Sequence, residues 1–141
     1  MQRKQKVGEL MVRHPVTVGP DDTLVEAANV MSEADIGDVL VADAGQLRGI
    51  LTDRDIVVRA VAQGGVPAET TVGEVYSGEL TTVAPDADVS RAVGLMRSRA
   101  LRRVPVVDGG TLVGIVSLGD LAVERDEESA LADISAAAPN A

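Results

Sequence analysis

Gly114-Ile115-Val116-Ser117-Leu118-Gly119-Asp120 has a twin earlier in the chain, Gly49-Ile50-Leu51-Thr52-Asp53-Arg54-Asp55. Both read Gly, apolar, apolar, hydroxyl, two variable residues, Asp. The apolar run before each hydroxyl, Leu47 to Leu51 or Leu112 to Val116, has the pattern of a strand. The run after it, from Ile56 to Val61 or from Leu121 to Val123, has the pattern of a helix. Each copy is therefore a strand-to-helix turn, with the hydroxyl at the strand end and the Asp in the first helical turn. Backbone N–H groups at a helix start are unpaired and partly positive, so they suit an anion. A hydroxyl there can donate to a phosphate, and a carboxylate three residues on can accept from sugar hydroxyls. The same residues also read as an ordinary N-cap and ordinary dipole compensation. A single copy favours capping; two copies, each closing a repeat, point toward a site that suits a nucleotide.

Working outward, the offset that carries Gly49 onto Gly114 holds along the whole pattern without a gap. Val7-Gly8-Glu9 becomes Val72-Gly73-Glu74, Thr17-Val18 becomes Thr82-Val83, and Pro20-Asp21 becomes Pro85-Asp86. Met31 becomes Met96, and Val41-x-Asp43 becomes Val106-x-Asp108. Such self-similarity marks a duplicated structural unit. Within the first copy, Leu10 and Met11 suggest a short helical turn, and Val16-Thr17-Val18 a short strand. A helix follows from Thr23, which has capping-box spacing to Glu26, and Leu24, Ala27, Ala28 and Met31 share one apolar face. A strand over Val39–Ala42, a turn at Asp43-Ala44-Gly45 and a strand over Leu47–Thr52 come next. The last helix stops near Gln63, before Gly64-Gly65. The pattern divides the chain into a loose N-terminus (1–6), repeat 1 (7–65), a linker (66–71), repeat 2 (72–125) and a polar, Ala-rich tail (126–141). The fold class is α/β (α+β in some schemes): two β-α-β-β-α units that share one core about a pseudo-two-fold axis.

Composition narrows the function. The 141 residues are 45% hydrophobic, yet Tyr76 is the single aromatic, so the core is aliphatic. With a formal charge of −9 and no aromatic platform, the chain is not expected to bind a nucleic-acid polymer. Absence of cysteine rules out disulfides, thiolate catalysis and thiolate metal sites. No apolar run has membrane-spanning length and no signal-peptide core follows Arg3, Lys4 and Lys6, so the expected location is the cytoplasm.

Other candidates are thinner. His14 is the only histidine and has no metal-ligand spacing around it, so no metal site is expected. Asp108-Gly109-Gly110, with Gly114 beyond, lies between two strands and reads as a hairpin turn rather than a dinucleotide fingerprint. No P-loop occurs, and no base, nucleophile or metal cluster stands at the turns, so no catalytic residue is assigned and turnover is not expected. Arg97, Arg99, Arg102 and Arg103 form the one basic cluster. Arg102 and Arg103 suit a phosphate, or salt bridges to the first repeat, whose matching positions are Gly37 and Asp38.

Two tandem units of this pattern resemble a pair of cystathionine-β-synthase-type (CBS) domains, a Bateman module, over about residues 7–124. The resemblance implies paired units with clefts between their sheets that hold AMP, ADP, ATP or another adenosyl ligand, with no required cofactor. In one cleft it implies Thr81, Thr82, Val104, Pro105, Ser117 and Asp120. In the other it implies Val16, Thr17, Val39, Leu40, Thr52 and Asp55. Asp38-Val39-Leu40-Val41 lacks the proline of Arg103-Val104-Pro105-Val106. The chain is similar to small stand-alone bacterial proteins made of one such pair, some tied to stress or hypoxia. The expected function is non-catalytic regulation by an adenosyl ligand. The alternatives are a ligand-free dimeric scaffold, or a regulatory subunit of a separate enzyme or channel acting on an unknown effector protein. The second cleft, with Arg102, Arg103 and Pro105, is expected to bind a phosphate-bearing ligand more tightly, although Arg54 could serve the first. A homodimer is expected, through apolar helix faces with Val57, Val61, Val93 and Met96 among the candidates.

Overall fold

The structure, a computed structural model, describes residues 5–119 and Leu121. In chain order the elements are α1 (Val7–Leu10), β1 (Val12–Arg13), β2 (Thr17–Val18), α2 (Leu24–Ala34), β3 (Asp38–Asp43), β4 (Gln46–Thr52) and α3 (Asp53–Asp55). A π turn over Ile56–Ala60 and 3-10 turns over Val61–Gln63 and Val72–Glu74 follow. The series closes with α4 (Val89–Arg99), β5 (Arg103–Asp108) and β6 (Thr111–Ser117). These elements form two compact units. One is continuous, residues 16–80; the other is split, joining residues 5–15 to residues 81–119 and Leu121.

In the continuous unit β2 runs parallel to β3, with Thr17 opposite Leu40, and β3 runs antiparallel to β4, with Asp38 opposite Thr52. The β3–β4 hairpin turns on Ala44 and Gly45, both at positive φ (53° and 81°), as a tight two-residue turn demands. Thr23 opens α2 as foreseen: its Oγ1 accepts from the Glu26 N–H and Glu26 Oε1 accepts from the Thr23 N–H. Asp35 ends the helix in the left-handed region, and the Ile36 N–H returns to the Met31 carbonyl. The buried stripe is narrower than the apolar pattern suggested. Leu24, Ala27 and Met31 pack with Val39, Val41 and Leu51, while Ala28 is exposed.

The split unit repeats this plan, with the strand β1 where the continuous unit has an isolated antiparallel bridge between Ile50 and Ser77. β1 pairs antiparallel with β6 (Val12 opposite Ile115), and β6 pairs antiparallel with β5. Val83 adds a parallel bridge to Val106. Gly109 and Gly110 make the hairpin turn at positive φ, and Ala100 ends α4 as Asp35 ends α2. Val89, Ala92, Val93 and Met96 pack onto Val104, Val106 and Val116. This corrects the candidate contact face: Val93 and Met96 are each only 2% exposed, because α4 turns them onto β5 and β6, whereas Val57 and Val61 are 59% and 51% exposed.

Leading segments are exchanged between the sequence repeats. Val7, from repeat 1, is buried among Val83, Val89 and Val104 of repeat 2; Val72, from repeat 2, is buried among Val18, Leu24 and Leu51 of repeat 1. The same hydrogen bonds fix both exchanges. Gly8 donates to the Pro85 carbonyl and Gly73 to the Pro20 carbonyl, each at 2.8 Å. A Cβ at Gly8 or Gly73 would come within 3.0 or 3.1 Å of that oxygen, so glycine permits the close approach.

Candidate ligand sites at the strand ends

In the split unit, strand register assembles most of the residues singled out for the second cleft. Arg103 opens β5 opposite Ser117, which closes β6, and Val104 stands opposite Val116. The Val83 N–H donates to the Pro105 carbonyl at 3.1 Å, which brings Thr81 and Thr82 to the approach of the same strand. The Leu118 N–H donates to the Arg102 carbonyl at 2.7 Å, tying the helix start to the base of β5. Val104 and Pro105 are buried, Thr81 and Ser117 half-buried, and Thr82, Arg102 and Arg103 exposed. One edge of this unit thus carries three hydroxyls, two guanidinium groups and a proline-stiffened strand. Asp120 lies outside the described residues.

In the continuous unit Thr17 pairs with Leu40, and Thr52 stands opposite Asp38. Val39 and Leu40 are buried; Val16, Thr17 and Arg54 are exposed. Thr52 and Asp55 satisfy each other: Thr52 Oγ1 accepts from the Asp55 N–H, and Asp55 Oδ2 accepts from the Thr52 N–H, both at 3.0 Å. The other Asp55 oxygen, Oδ1, lies 3.9 Å from Arg59 Nη1, a partner the sequence pattern did not single out. The Asp53 N–H donates to the Gly37 carbonyl at 2.9 Å, and its carboxylate rests against Gly37, where an added Cβ would meet Asp53 Oδ2 at 3.1 Å. This edge therefore carries an extra negative charge that the other lacks.

A cleft of about 430 Å³ opens elsewhere in the split unit, lined by Lys6, Met11, Arg13, Pro85, Asp86 and Asp108 among others. None of the residues assigned to the two nucleotide clefts lines it, although the repeated Gly8, Glu9, Pro85, Asp86 and Asp108 do. Its signal in the sequence was a difference between the copies: Lys6 and Arg13 match Thr71 and Gly78.

Comparison with known proteins decides the family. The CBS domain model matches residues 7–61 and again 67–126. The chain belongs to the CBS domain family. A CBS domain-containing protein, YhcV of Bacillus subtilis (strain 168), is 43% identical over 133 residues, covering 92% of this chain and 94% of that one. Among solved structures, Hypoxic Response Protein I with two coordinated zinc ions is 35% identical with a TM-score of 0.76, covering 86% of this chain and 100% of that one. The CBS domain pair of protein MJ0100, in complex with 5′-methylthioadenosine and S-adenosyl-L-methionine, is 27% identical with a TM-score of 0.69, covering 86% and 96%. In this CBS domain chain, no group of three or more His, Asp or Glu among the described residues is placed to hold a metal ion. No helix among them is long and apolar enough to cross a membrane.

Proposed function

We propose that this CBS domain pair is a non-catalytic regulatory module that binds an adenine nucleotide or related adenosyl ligand at the strand ends. The register that sets Arg103 beside Ser117, with Pro105 two pairs further along β5, carries this reading. Phosphate is met by Arg102, Arg103 and the helix start after Ser117; ribose by Asp120; adenine by the backbone near Thr81, Thr82 and Val104-Pro105. Adenosyl ligands on the MJ0100 pair support the ligand class, and the hypoxic-response relative supports a role in stress or energy signalling. The module acts in the cytoplasm as a homodimer and passes its state to an effector protein.

For the first site one observation favours a second reading. Thr52 and Asp55 already cap each other, so the edge works as a helix start without a ligand. Calorimetric titration with AMP and ATP tests both readings. Asp120→Ala is expected to weaken binding by roughly ten- to a hundredfold, the worth of a charge-assisted hydrogen bond, and Asp55→Ala much less. An equal or larger loss in Asp55→Ala would move the ligand to the first site; saturable binding of neither nucleotide would leave the scaffold reading in its place.

A further inference from the structure

The cleft in the split unit sits at the opposite end of β5 from the candidate nucleotide edge. Arg103 opens the strand beside Ser117, and Asp108 closes it on the cleft rim. At about 3.3 Å per residue the two ends are roughly 16 Å apart.

The internal repeat separates what the fold needs here from what has been added. In the continuous unit Gly73, Glu74, Pro20, Asp21 and Asp43 keep the residue types of Gly8, Glu9, Pro85, Asp86 and Asp108. The carboxylates and the Gly–Pro contact therefore go with the fold. Thr71, Tyr76, Gly78 and Arg48 stand where the split unit has Lys6, Met11, Arg13 and Val113. Two cations and a floor of Met11 and Val113 are thus particular to the cleft. Lys6 is engaged, its Nζ lying 2.7 Å from Asp88 Oδ1. Arg13, matched by Gly78, is the second added cation.

We propose that this cleft binds a small zwitterion, an α-amino acid with an apolar side chain. A bare anion entering it meets the carboxylates of Glu9, Asp86 and Asp108, and a bare cation meets Lys6 and Arg13. A zwitterion answers both: its carboxylate takes the planar fork of Arg13, its ammonium group takes Asp86 or Asp108, and its side chain lies on Met11, Val113 and Pro85. The volume of about 430 Å³ falls in the range of small-molecule sites. Charges in an open cleft are screened, so affinity is expected at about the millimolar level.

The test is a heteronuclear NMR titration of the whole chain with L-leucine, beside N-acetyl-L-leucine and L-leucinamide, which each lack one charge. Saturable shifts are expected at Gly8, Arg13 and Val113 with L-leucine, and binding about tenfold weaker or more for either blocked form. Arg13→Gln is expected to weaken L-leucine to a similar degree while the spectrum elsewhere stays that of the parent. Absence of saturable shifts with L-leucine, or equal binding of the blocked forms, overturns the proposal without recourse to a variant.

Discussion

Gly49 and Gly114 were legible as a repeated glycine, but not as the reason for it. Each sits where the leading segment of the other repeat crosses the strand. A Cβ at Gly49 would collide with the Ser77 carbonyl oxygen and the Tyr76 ring; one at Gly114 would come within 2.6 Å of Met11 Sδ and 2.9 Å of the Val12 carbonyl oxygen. Overpacking costs about 1–3 kcal/mol, and a backbone oxygen yields less than a thioether. Gly49→Ala is therefore expected to lose about 3 kcal/mol or more and Gly114→Ala less, read from urea unfolding. A smaller loss at Gly49 would contradict the packing described. Glu74 gives a pH handle. It accepts from the Thr71 N–H at 2.7 Å and from Thr71 Oγ1 at 3.0 Å, which holds its carboxyl below the usual 4.5. Its contribution is thus present above that value and fades as pH falls through the depressed one. Glu74→Gln should be less stable than the parent at neutral pH, with the gap closing in acid.

At the scale of elements, α2, the two hairpins and the strand before each hydroxyl were legible, because capping-box spacing, Gly-bearing turns and apolar runs are local signals. The winding after Thr52 was not. The pattern reads as one helix, yet only Asp53–Asp55 is α-helical before the π turn over Ile56–Ala60. Apolar periodicity does not distinguish 3.6 residues per turn from a locally wider turn, and Ala60 is buried in either case. The hydroxyl-to-Asp motif was legible as chemistry, but its use was not: in one copy the two groups are spent on each other. Thr52→Ala removes a cap and is expected to cost about 1 kcal/mol, measured by denaturant unfolding at saturating and zero nucleotide. A cost that appears only with nucleotide present would assign Thr52 to the ligand instead.

At the scale of the molecule, duplication was legible and the exchange of leading segments was not. Both copies carry the same Val-Gly-Glu and the same Pro-Asp, so the sequence is silent on which Gly meets which Pro. Val7→Ala separates the two pairings. It should cost about 2 kcal/mol, and faster amide exchange should appear around Val104 and Val116 rather than around Val41 and Leu51. Val57, Val58 and Val61, close together in the winding after Thr52, are exposed and are the candidates for a symmetric contact. Sedimentation at micromolar concentration is expected to give about twice the 14.6 kDa chain mass. A monomer there would remove the homodimer from the proposed function.

Exchange of leading segments also sets an order of events on the ribosome. The continuous unit has every part it needs once residue 80 has left the exit tunnel. Val7 by then has been outside for most of the synthesis, but its pocket of Val83, Val104 and Val116 has not been made. At about 5–20 residues per second, the nascent N-terminal segment waits a few seconds more for the hairpin that receives it. During that interval Val7, Leu10, Met11 and Val12, the apolar residues of that segment, are on offer to chaperones or to the same segment on a neighbouring polysome chain.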